Sequence, residues 1–294
     1  MAGGSEQRWA KAERLDAERI TEALRVHSDI DLVVEGPCPG GQVGAAYVRW
    51  PDGHRSVLTW MPDTALARLQ AGSIAVTTAL RGIGYPAPAT EAAIQIGRDV
   101  VVVQELLPGL KIDRLDVDLL EQALALNELQ AGALAGIRDD VVSVSLFLRE
   151  DGPGFCLHEP LRQHNSRTAA LERRILATAD DYPDCFHSDD AMHLDFHPGN
   201  MLAVDGVITG VVDWDGAGRG DRRLDLVTLR FGVHGERPEP GVIERLDAIL
   251  DALPPDVLRP AWAHMSLRMT DWAIRHFTAD AVEHWLDLAE QRPL

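Results

Sequence analysis

Lysine is nearly absent from this chain. Of 28 basic residues in a sequence of 294, only Lys11 and Lys111 are lysines, and the others are arginines. The 46 acidic residues outnumber them and give a formal net charge of −18. This charge argues against a nucleic-acid partner, because nucleic-acid binding depends on cationic contacts to phosphate. An acidic surface instead attracts cationic small molecules by long-range steering.

Long apolar runs and paired cysteines are missing as well. No segment has the roughly 18 consecutive apolar residues of a membrane span, and the first residues lack the basic-then-apolar order of a signal peptide. Cys38, Cys156 and Cys185 are widely spaced, which suggests neither a disulfide framework nor a zinc site. The apolar fraction of 46% is enough to build a core. We expect a cytoplasmic protein, monomeric or homodimeric, without a membrane partner.

An apolar hairpin joins two groups of polar residues in the C-terminal half. The runs 201–204 and 207–212 are separated by Asp205-Gly206. Asp-Gly between apolar, β-branched runs is a strong hairpin signal. A hairpin at this place would bring Asp213, which follows the second run, back beside Asn200, which precedes the first.

Three side chains with oxygen atoms flank this hairpin, namely Asp195, Asn200 and Asp213. They form the pattern His-x-Asp-x-x-x-x-Asn before the hairpin and Asp directly after it. In-line phosphoryl transfer from Mg-ATP needs a carboxylate to accept the proton of the substrate hydroxyl and further oxygen ligands to hold the metal against the phosphates. Asp195 is the predicted base, and Asn200 and Asp213 are the predicted Mg²⁺ ligands. The alternative is that these are ordinary polar residues of loops around a β-hairpin.

These residues resemble the aminoglycoside phosphotransferase and choline kinase-like family, a branch of the protein kinase fold. The resemblance rests on His193-Leu-Asp-Phe-His-Pro-Gly-Asn-Met-Leu202 and on Gly210-Val-Val-Asp-Trp-Asp-Gly-Ala-Gly-Arg-Gly-Asp221, followed by Asp225-Leu226. It implies a two-lobed α+β fold, with a small N-terminal antiparallel sheet lobe in residues 1–107 and a larger, mainly helical C-terminal lobe in residues 108–294.

The same resemblance assigns roles to residues near the predicted base. Asp225 would brace the catalytic loop, and His193 would be a buried hydrogen-bonding support of that loop. Asp215 would either approach the metal or be an exposed turn acid. Family members commonly have glycine where this chain has Leu194, a departure that leaves the reactive positions intact.

The N-terminal third has the order of elements that a nucleotide lobe requires. The expected elements are a leading helix and three strands, at residues 15–27, 31–35, 45–50 and 57–60. The loop 36–44 between the first two strands is rich in glycine. By resemblance, Gly40, Gly41 and Gly44 in this loop would lie against the phosphates of ATP, since glycine permits close backbone approach.

A hinge between the two lobes is predicted near Pro108-Gly109. A buried strand at 99–107 leads into it, and a helix at 116–134 follows it. By resemblance, the backbone of Glu105, Leu106 and Leu107 would hydrogen-bond the base of the phosphoryl donor, ATP or GTP.

The cation that usually orients the phosphates has no counterpart in this sequence. The kinase fold places a lysine on the third strand and a glutamate on the next helix. Aligning Gly84-Tyr-Pro-Ala-Pro88 with the family's usual turn places Thr59 and Ser73 at those positions. Lys11 precedes the first strand and Lys111 follows the hinge, so no shift of register supplies the lysine.

Two interpretations of this loss remain open. The chain is either an inactive relative that only binds nucleotide, or an enzyme in which the ion pair was lost as a unit. In the enzyme, phosphate charge would be handled by Mg²⁺, by backbone N–H groups and by an arginine such as Arg49 or Arg55. We favour the enzyme, since a decayed site is not expected to keep its base and metal ligands together.

The sequence assigns fewer residues to the acceptor site than to the catalytic segment. Acidic candidates for binding a cationic acceptor are Asp184, Asp189, Asp190, Glu236, Glu239 and Asp271. Resemblance and charge together predict an ATP- and Mg²⁺-dependent phosphotransferase acting on a hydroxyl of a small cationic molecule. An aminoglycoside or a cationic cyclic-peptide antibiotic is the leading acceptor, and amino alcohols, sugars and macrolides are alternatives.

Overall fold

A computed structural model of the protein describes residues 14–39, 44–137, 141–234 and 238–294. Its N-terminal part contains five antiparallel strands, β1 (Val33–Pro37), β2 (Ala46–Arg49), β3 (Arg55–Met61), β4 (Thr90–Ile96) and β5 (Asp99–Glu105). They form one sheet in the order β1-β2-β3-β5-β4. Gly40 and Gly41 lie outside the described residues.

Helices cover both faces of this sheet. They are α1 (Ala17–Ser28), α2 (Leu66–Ala71) and α3 (Ser73–Gly82). On one face Ile20 of α1 packs in a cluster with Leu58, and on the other face Leu69 of α2 packs with Val100 and Val102. The interior strand β5 is apolar at four consecutive positions, because both of its faces are buried.

The chain leaves the first sheet after Glu105 and enters a second one through β6 (Leu110–Lys111). β6 pairs with β8 (Met201–Val204), which pairs with β9 (Val207–Val211). Asp205 and Gly206 join β8 and β9 with φ angles of 50° and 77°, the left-handed backbone that an Asp-Gly hairpin turn adopts. The predicted hairpin is confirmed. We keep the division of the chain after residue 107 as a proposal.

The rest of the C-terminal part is mainly helical. Its helices are α4 (Val117–Leu129), α5 (His158–His164), α6 (Ser166–Asp181), α7 (Arg223–His234), α8 (Val242–Asp251), α9 (Pro255–His276) and α10 (Ala279–Ala289). Two short strands, β7 (Asp190–Met192) and β10 (Gly218–Gly220), pair beside them. The predicted α+β fold, a sheet lobe followed by a helical lobe, is confirmed. No helix in the described ranges is both long enough and apolar enough to cross a membrane.

One predicted helix, at 116–134, is too long by about a turn, since α4 ends at Leu129. Beyond it, Gln130 is buried and its Nε2 donates to Asp225 Oδ2 at 2.9 Å. Asn127 Nδ2 donates to the backbone oxygen of Arg222 at 2.9 Å. These tertiary hydrogen bonds, and Gly132 at a φ of 62°, turn the chain where apolar periodicity alone would continue the helix.

Candidate active site

The loop 193–200 lies between β7 and β8 and is anchored at its start by Asp225. Asp225 is fully buried in the first turn of α7. Its carboxylate accepts hydrogen bonds from the backbone N–H groups of His193 at 2.8 Å and Leu194 at 2.9 Å. Asp225 therefore fixes the direction in which the chain approaches Asp195.

Asp195 is held by side chains from two different parts of the chain. Arg268 Nη2, on α9, lies 2.8 Å from Asp195 Oδ1, and Asn200 Nδ2 donates to Oδ2 at 3.0 Å. His197 Nε2 lies 3.5 Å from Oδ2. Burial by itself would raise the pKa of Asp195, but Arg268 and His197 outweigh it and hold that pKa well below its usual range. Both carboxylate oxygens are therefore acceptors.

Arg268 is a site residue that sequence reasoning missed. Besides the ion pair with Asp195, it donates to the backbone oxygen of Leu194 and lies over the ring of Phe155, 5.8 Å from its centroid. It belongs to a helix that starts more than fifty residues after the loop it contacts. No local pattern signals such a contact.

His193 links the loop to the end of β9. It is fully buried, and its Nε2 lies 2.9 Å from the backbone oxygen of Val212. The Asp195 N–H donates to Nδ1 at 3.2 Å, which assigns the proton to Nε2. Burial lowers the pKa of His193 to about 4. A neutral imidazole is thus a structural support here.

Asn200 and Asp213 are neighbours, because the N–H of Val212 donates to the backbone oxygen of Asn200 at 2.9 Å. Asn200 uses its Nδ2 on Asp195, which leaves Oδ1 for a cation. Burial, and then the charge of Asp195, raise the pKa of Asp213. Burial, and then Asp213, likewise raise the pKa of Asp215.

These oxygens fit Mg²⁺. Hard Mg²⁺ takes one or two carboxylates together with phosphate oxygens and water, not a full cage of protein ligands. The described residues contain no cluster of three or more His, Cys, Asp or Glu side chains suited to a metal ion. An amide and one or two carboxylates, as at Asn200, Asp213 and Asp215, are the donor set expected for a metal shared with a nucleotide.

Two residues beside the site have a left-handed backbone that glycine would adopt more easily. Leu194 has φ 68° and Asp213 has φ 67°. Such a conformation costs roughly 1–2 kcal/mol for a residue with a side chain. The hydrogen bonds from the His193 and Leu194 N–H groups to Asp225, and the buried Trp214 after Asp213, hold the chain in this form.

Thr59 and Ser73, the positions aligned with the usual lysine–glutamate pair, lie on β3 and α3 of the N-terminal part. This part forms the wall of the proposed nucleotide cleft opposite the loop 193–200. Thr59 pairs with Val102 across β3 and β5, so both side chains share the face that α2 and α3 cover. Thr59 Oγ1 is buried and has no hydrogen-bond partner among the described residues. Ser73 is the first residue of α3 and is buried.

Arg49 and Arg55 do not supply a free cation at this wall. Arg49 Nε lies 3.1 Å from Glu35 Oε1, and Arg55 Nε lies 2.6 Å from Glu35 Oε2. Both guanidinium groups therefore share one carboxylate on β1. The prediction that one of them grips phosphate gains no support from these contacts.

The segment predicted to bind the base lies between the two sheets. The Glu105 N–H donates to the backbone oxygen of Ala89 at 2.9 Å, and the Glu105 side chain pairs with Arg81 at 2.7 Å. Leu106 and Leu107 are half-buried. In the glycine-rich loop, Gly44 has φ 86°, the backbone that favours glycine.

A cavity of about 1220 Å³ opens beside Asp195 and Asp213. Aromatic rings form much of its wall, namely Phe147, Phe155, Trp272, Phe277 and Trp285. Arg68, Arg268 and Arg275 are its arginines. Among the described carboxylates, those lining the cavity are Asp195, Asp213 and Asp215, all at the end with the predicted catalytic groups.

Of the acidic residues considered for a cationic acceptor, those that the structure describes do not line this cavity. Asp184, Asp189, Asp190, Glu239 and Asp271 all lie elsewhere, and Glu236 falls outside the described residues. Asp271 is fully buried and pairs with Arg275 at 2.7 Å. Asp189 pairs with Arg219. Their charges are used within the fold.

A family model for the phosphotransferase enzyme family (APH) matches residues 36–260. The chain belongs to this family. The match covers the glycine-rich loop, the hinge, the loop 193–200 and the β8–β9 hairpin, so the predicted family and its phosphotransferase activity are confirmed. No curated protein matches this member of the family.

Solved structures agree at the level of the fold. A thermostable mutant of aminoglycoside phosphotransferase APH(4)-Ia, in a ternary complex with AMP-PNP and hygromycin B, superposes with a TM-score of 0.63 at 15% identity, over 92% of this chain and 96% of that chain. A candidate fructosamine-3-kinase from Haemophilus somnus 129PT superposes with a TM-score of 0.56 at 10% identity, over 92% and 97% of the two chains.

Proposed function

We propose that this phosphotransferase transfers the γ-phosphoryl group of ATP or GTP, with Mg²⁺, to a hydroxyl of a bulky small molecule, and that an antibiotic is the leading acceptor. The observation that carries the proposal is the position of Asp195 and Asp213 at one end of a cavity of about 1220 Å³. Asn200 joins them through its hydrogen bond to Asp195.

Asp195 is the group that receives the hydroxyl of the acceptor. Its low pKa makes it a weak base in the ground state. In a loose phosphoryl-transfer transition state, the nucleophile is deprotonated late, so a fixed, ionised carboxylate mainly orients the hydroxyl and then takes its proton. Arg268 and Asn200 hold the carboxylate in place, and its remaining acceptor positions face the cavity.

Asn200 and Asp213 would hold Mg²⁺, which when bound neutralises charge on the phosphates. Asp215 is exposed to the same cavity and is a third candidate ligand. For the nucleotide, we propose contacts from Gly40, Gly41 and Gly44 to the phosphates and from the backbone of Glu105, Leu106 and Leu107 to the base. A cytoplasmic location and a monomeric or homodimeric state stay predictions.

The antibiotic class is supported by the fold relative that binds hygromycin B and by the volume of the cavity, which exceeds what an amino alcohol or a simple sugar fills. The aromatic wall favours an acceptor with a large apolar face. The net charge suggested a polycationic acceptor, but the cavity supports this less. The carboxylates that line it, Asp195, Asp213 and Asp215, are the ones proposed for catalysis and metal binding.

An acceptor panel tests the proposal. ADP release would be measured with aminoglycosides, cationic cyclic peptides, macrolides, amino alcohols and sugars, using the wild type, Asp195→Ala and the surface control Asp180→Ala. We expect one antibiotic class to elicit turnover in the wild type and the control and none in Asp195→Ala. If ATP binds but no acceptor elicits turnover, the inactive nucleotide-binding relative is the better interpretation.

A further inference from the structure

The phosphates of a bound nucleotide need a cation that β3 does not provide. Thr59 stands at the position where the lysine is usual, and Arg49 and Arg55 are both paired with Glu35. A nucleoside triphosphate carries several negative charges, and the nucleotide sites of kinases and P-loop NTPases place a lysine against its phosphates. The described residues offer another candidate on the opposite side.

Lys111 lies on β6, the strand through which the chain enters the second sheet. It is the second residue of β6, and its register partner on β8 is Leu202, two residues after Asn200. Directly paired residues place their side chains on the same face of a sheet, with β-carbons about 5 Å apart. The adjacent N–H of Ile112 donates to the backbone oxygen of Met201 at 3.1 Å, which fixes this register.

The face that Lys111 shares also carries the segment proposed to bind the base. Gly210 lies opposite Leu202 on β9. A β-carbon on Gly210 would come within 2.9 Å of Leu107 Cδ1 and 3.3 Å of Leu202 Cδ1. The side chains of Leu107 and Leu202 thus meet above Gly210, which has no side chain. Lys111 lies beside Leu202 on the neighbouring strand β6.

Lys111 is exposed, and its side chain makes no hydrogen bond or ion pair with any residue in the described ranges. Burial raises the pKa of the Cys38 thiol in the loop 36–44, and the hydrogen bond with Tyr47 and then the charge of Lys111 partly offset that rise. The ammonium group of Lys111 therefore lies within electrostatic range of this loop.

We propose that Lys111 binds the phosphates of the nucleotide from the C-terminal side of the cleft, in place of the lysine that β3 lacks. This inference rests on the proposed function. The geometry behind it is the β6–β8 register, the absence of a partner for the Lys111 side chain among the described residues, and the sheet face that Lys111 shares with Leu202 and Leu107. Lysine suits this role because its charge is compact and its four-carbon stem is flexible. A lysine on β6 can therefore reach the phosphate oxygens that a lysine on β3 would bind.

The test is nucleotide binding in the absence of any acceptor. Calorimetry would compare Mg-ATP, ADP, AMP and adenosine on the wild type, on Lys111→Met, which keeps the stem and removes the charge, and on Arg98→Met, which removes an exposed charge outside the proposed site, as the control. We expect Lys111→Met to weaken Mg-ATP binding about 10-fold or more, as for a lost hydrogen bond to a charged group, with adenosine affinity unchanged. Arg98→Met should leave both affinities unchanged, and Lys111→Arg should recover part of the loss.

Two results would overturn the inference. Equal losses for Mg-ATP and adenosine in Lys111→Met would mean that Lys111 acts on the nucleoside or on the fold, and unchanged Mg-ATP binding would mean that it does not contact the phosphates. Both leave the proposed function intact. A wild type that binds none of these nucleotides would overturn the proposed function together with the inference.

Discussion

The two walls of the cleft differ in how completely their functional positions are fixed. On the C-terminal wall, the loop 193–200 is held by the buried carboxylate of Asp225, and Asp195 is held by Arg268 and Asn200. On the N-terminal wall, the hydroxyl of Thr59 has no partner among the described residues. In the proposed function the chemistry is therefore organised on one wall, and the other wall would cover the nucleotide without the ion pair that kinases use.

The largest effect should come from the best-fixed group. Asp195→Asn keeps the shape of the side chain but cannot accept the hydroxyl proton, so turnover should fall by about 10³-fold, within the range for loss of a general base. Nucleotide affinity measured without acceptor should stay the same. A variant that keeps more than about a tenth of wild-type turnover would contradict the assignment.

The second-largest effect should be on nucleotide binding, when a proposed metal ligand is removed. Asp213→Asn should reduce the Mg²⁺-dependent part of ATP affinity by about 10-fold or more, because a charged ligand is lost. Asp205→Asn on the same hairpin is the matched control, since it also has a left-handed backbone, at φ 50°, which asparagine tolerates. If Mg²⁺ raises ATP affinity over that in EDTA as much in Asp213→Asn as in Asp205→Asn, Asp213 is not a metal ligand.

The N-terminal wall should respond weakly to restoration of one charge. Thr59→Lys lacks a partner acid near Ser73 to position it, so we expect ATP affinity to stay within about threefold of the wild type. Thr59→Met, of similar length without charge, controls for packing. A large gain in ATP affinity in Thr59→Lys but not in Thr59→Met would show that the lysine works without its partner glutamate. The N-terminal wall would then bind phosphate after a single change, contrary to the proposed difference between the two walls.

The smallest effect concerns the strained backbone of the catalytic loop. Both Leu194→Ala and Leu194→Gly remove a buried side chain, but only glycine adopts φ 68° without cost. The glycine variant should therefore be more stable than the alanine variant by about 1 kcal/mol, which reverses the usual order. Chemical denaturation of the two proteins measures the difference, and the ordinary order would mean that the loop relaxes.

Local features of the fold could be predicted because their causes are local. The β8–β9 hairpin follows from Asp205-Gly206, whose backbone angles are those that this dipeptide permits. The same reasoning extended the helix after Asp116 too far, because the hydrogen bonds of Gln130 and Asn127 to residues about 95 positions away are invisible to periodicity.

The cavity proposed to bind the acceptor could not be predicted for a similar reason. Its wall combines α2, the segment around Phe147, the loop 193–200 and α9. Net charge suggested acidic contacts to a cation, whereas the candidate Asp271 is neutralised inside the fold by Arg275. A sum over the whole chain contains no information about which charges face one cavity.

The sequence by itself determined the order of Asp195, Asn200 and Asp213 around a hairpin and the absence of a lysine from the third strand, since spacing and turn chemistry act over a few residues. Only the tertiary structure decided which cations are free. It paired Arg49 and Arg55 with Glu35, placed Arg268 on Asp195 and left the side chain of Lys111 without a partner in the described ranges. Electrostatic interaction depends on distance in space, and that distance is set by packing between elements far apart in the chain.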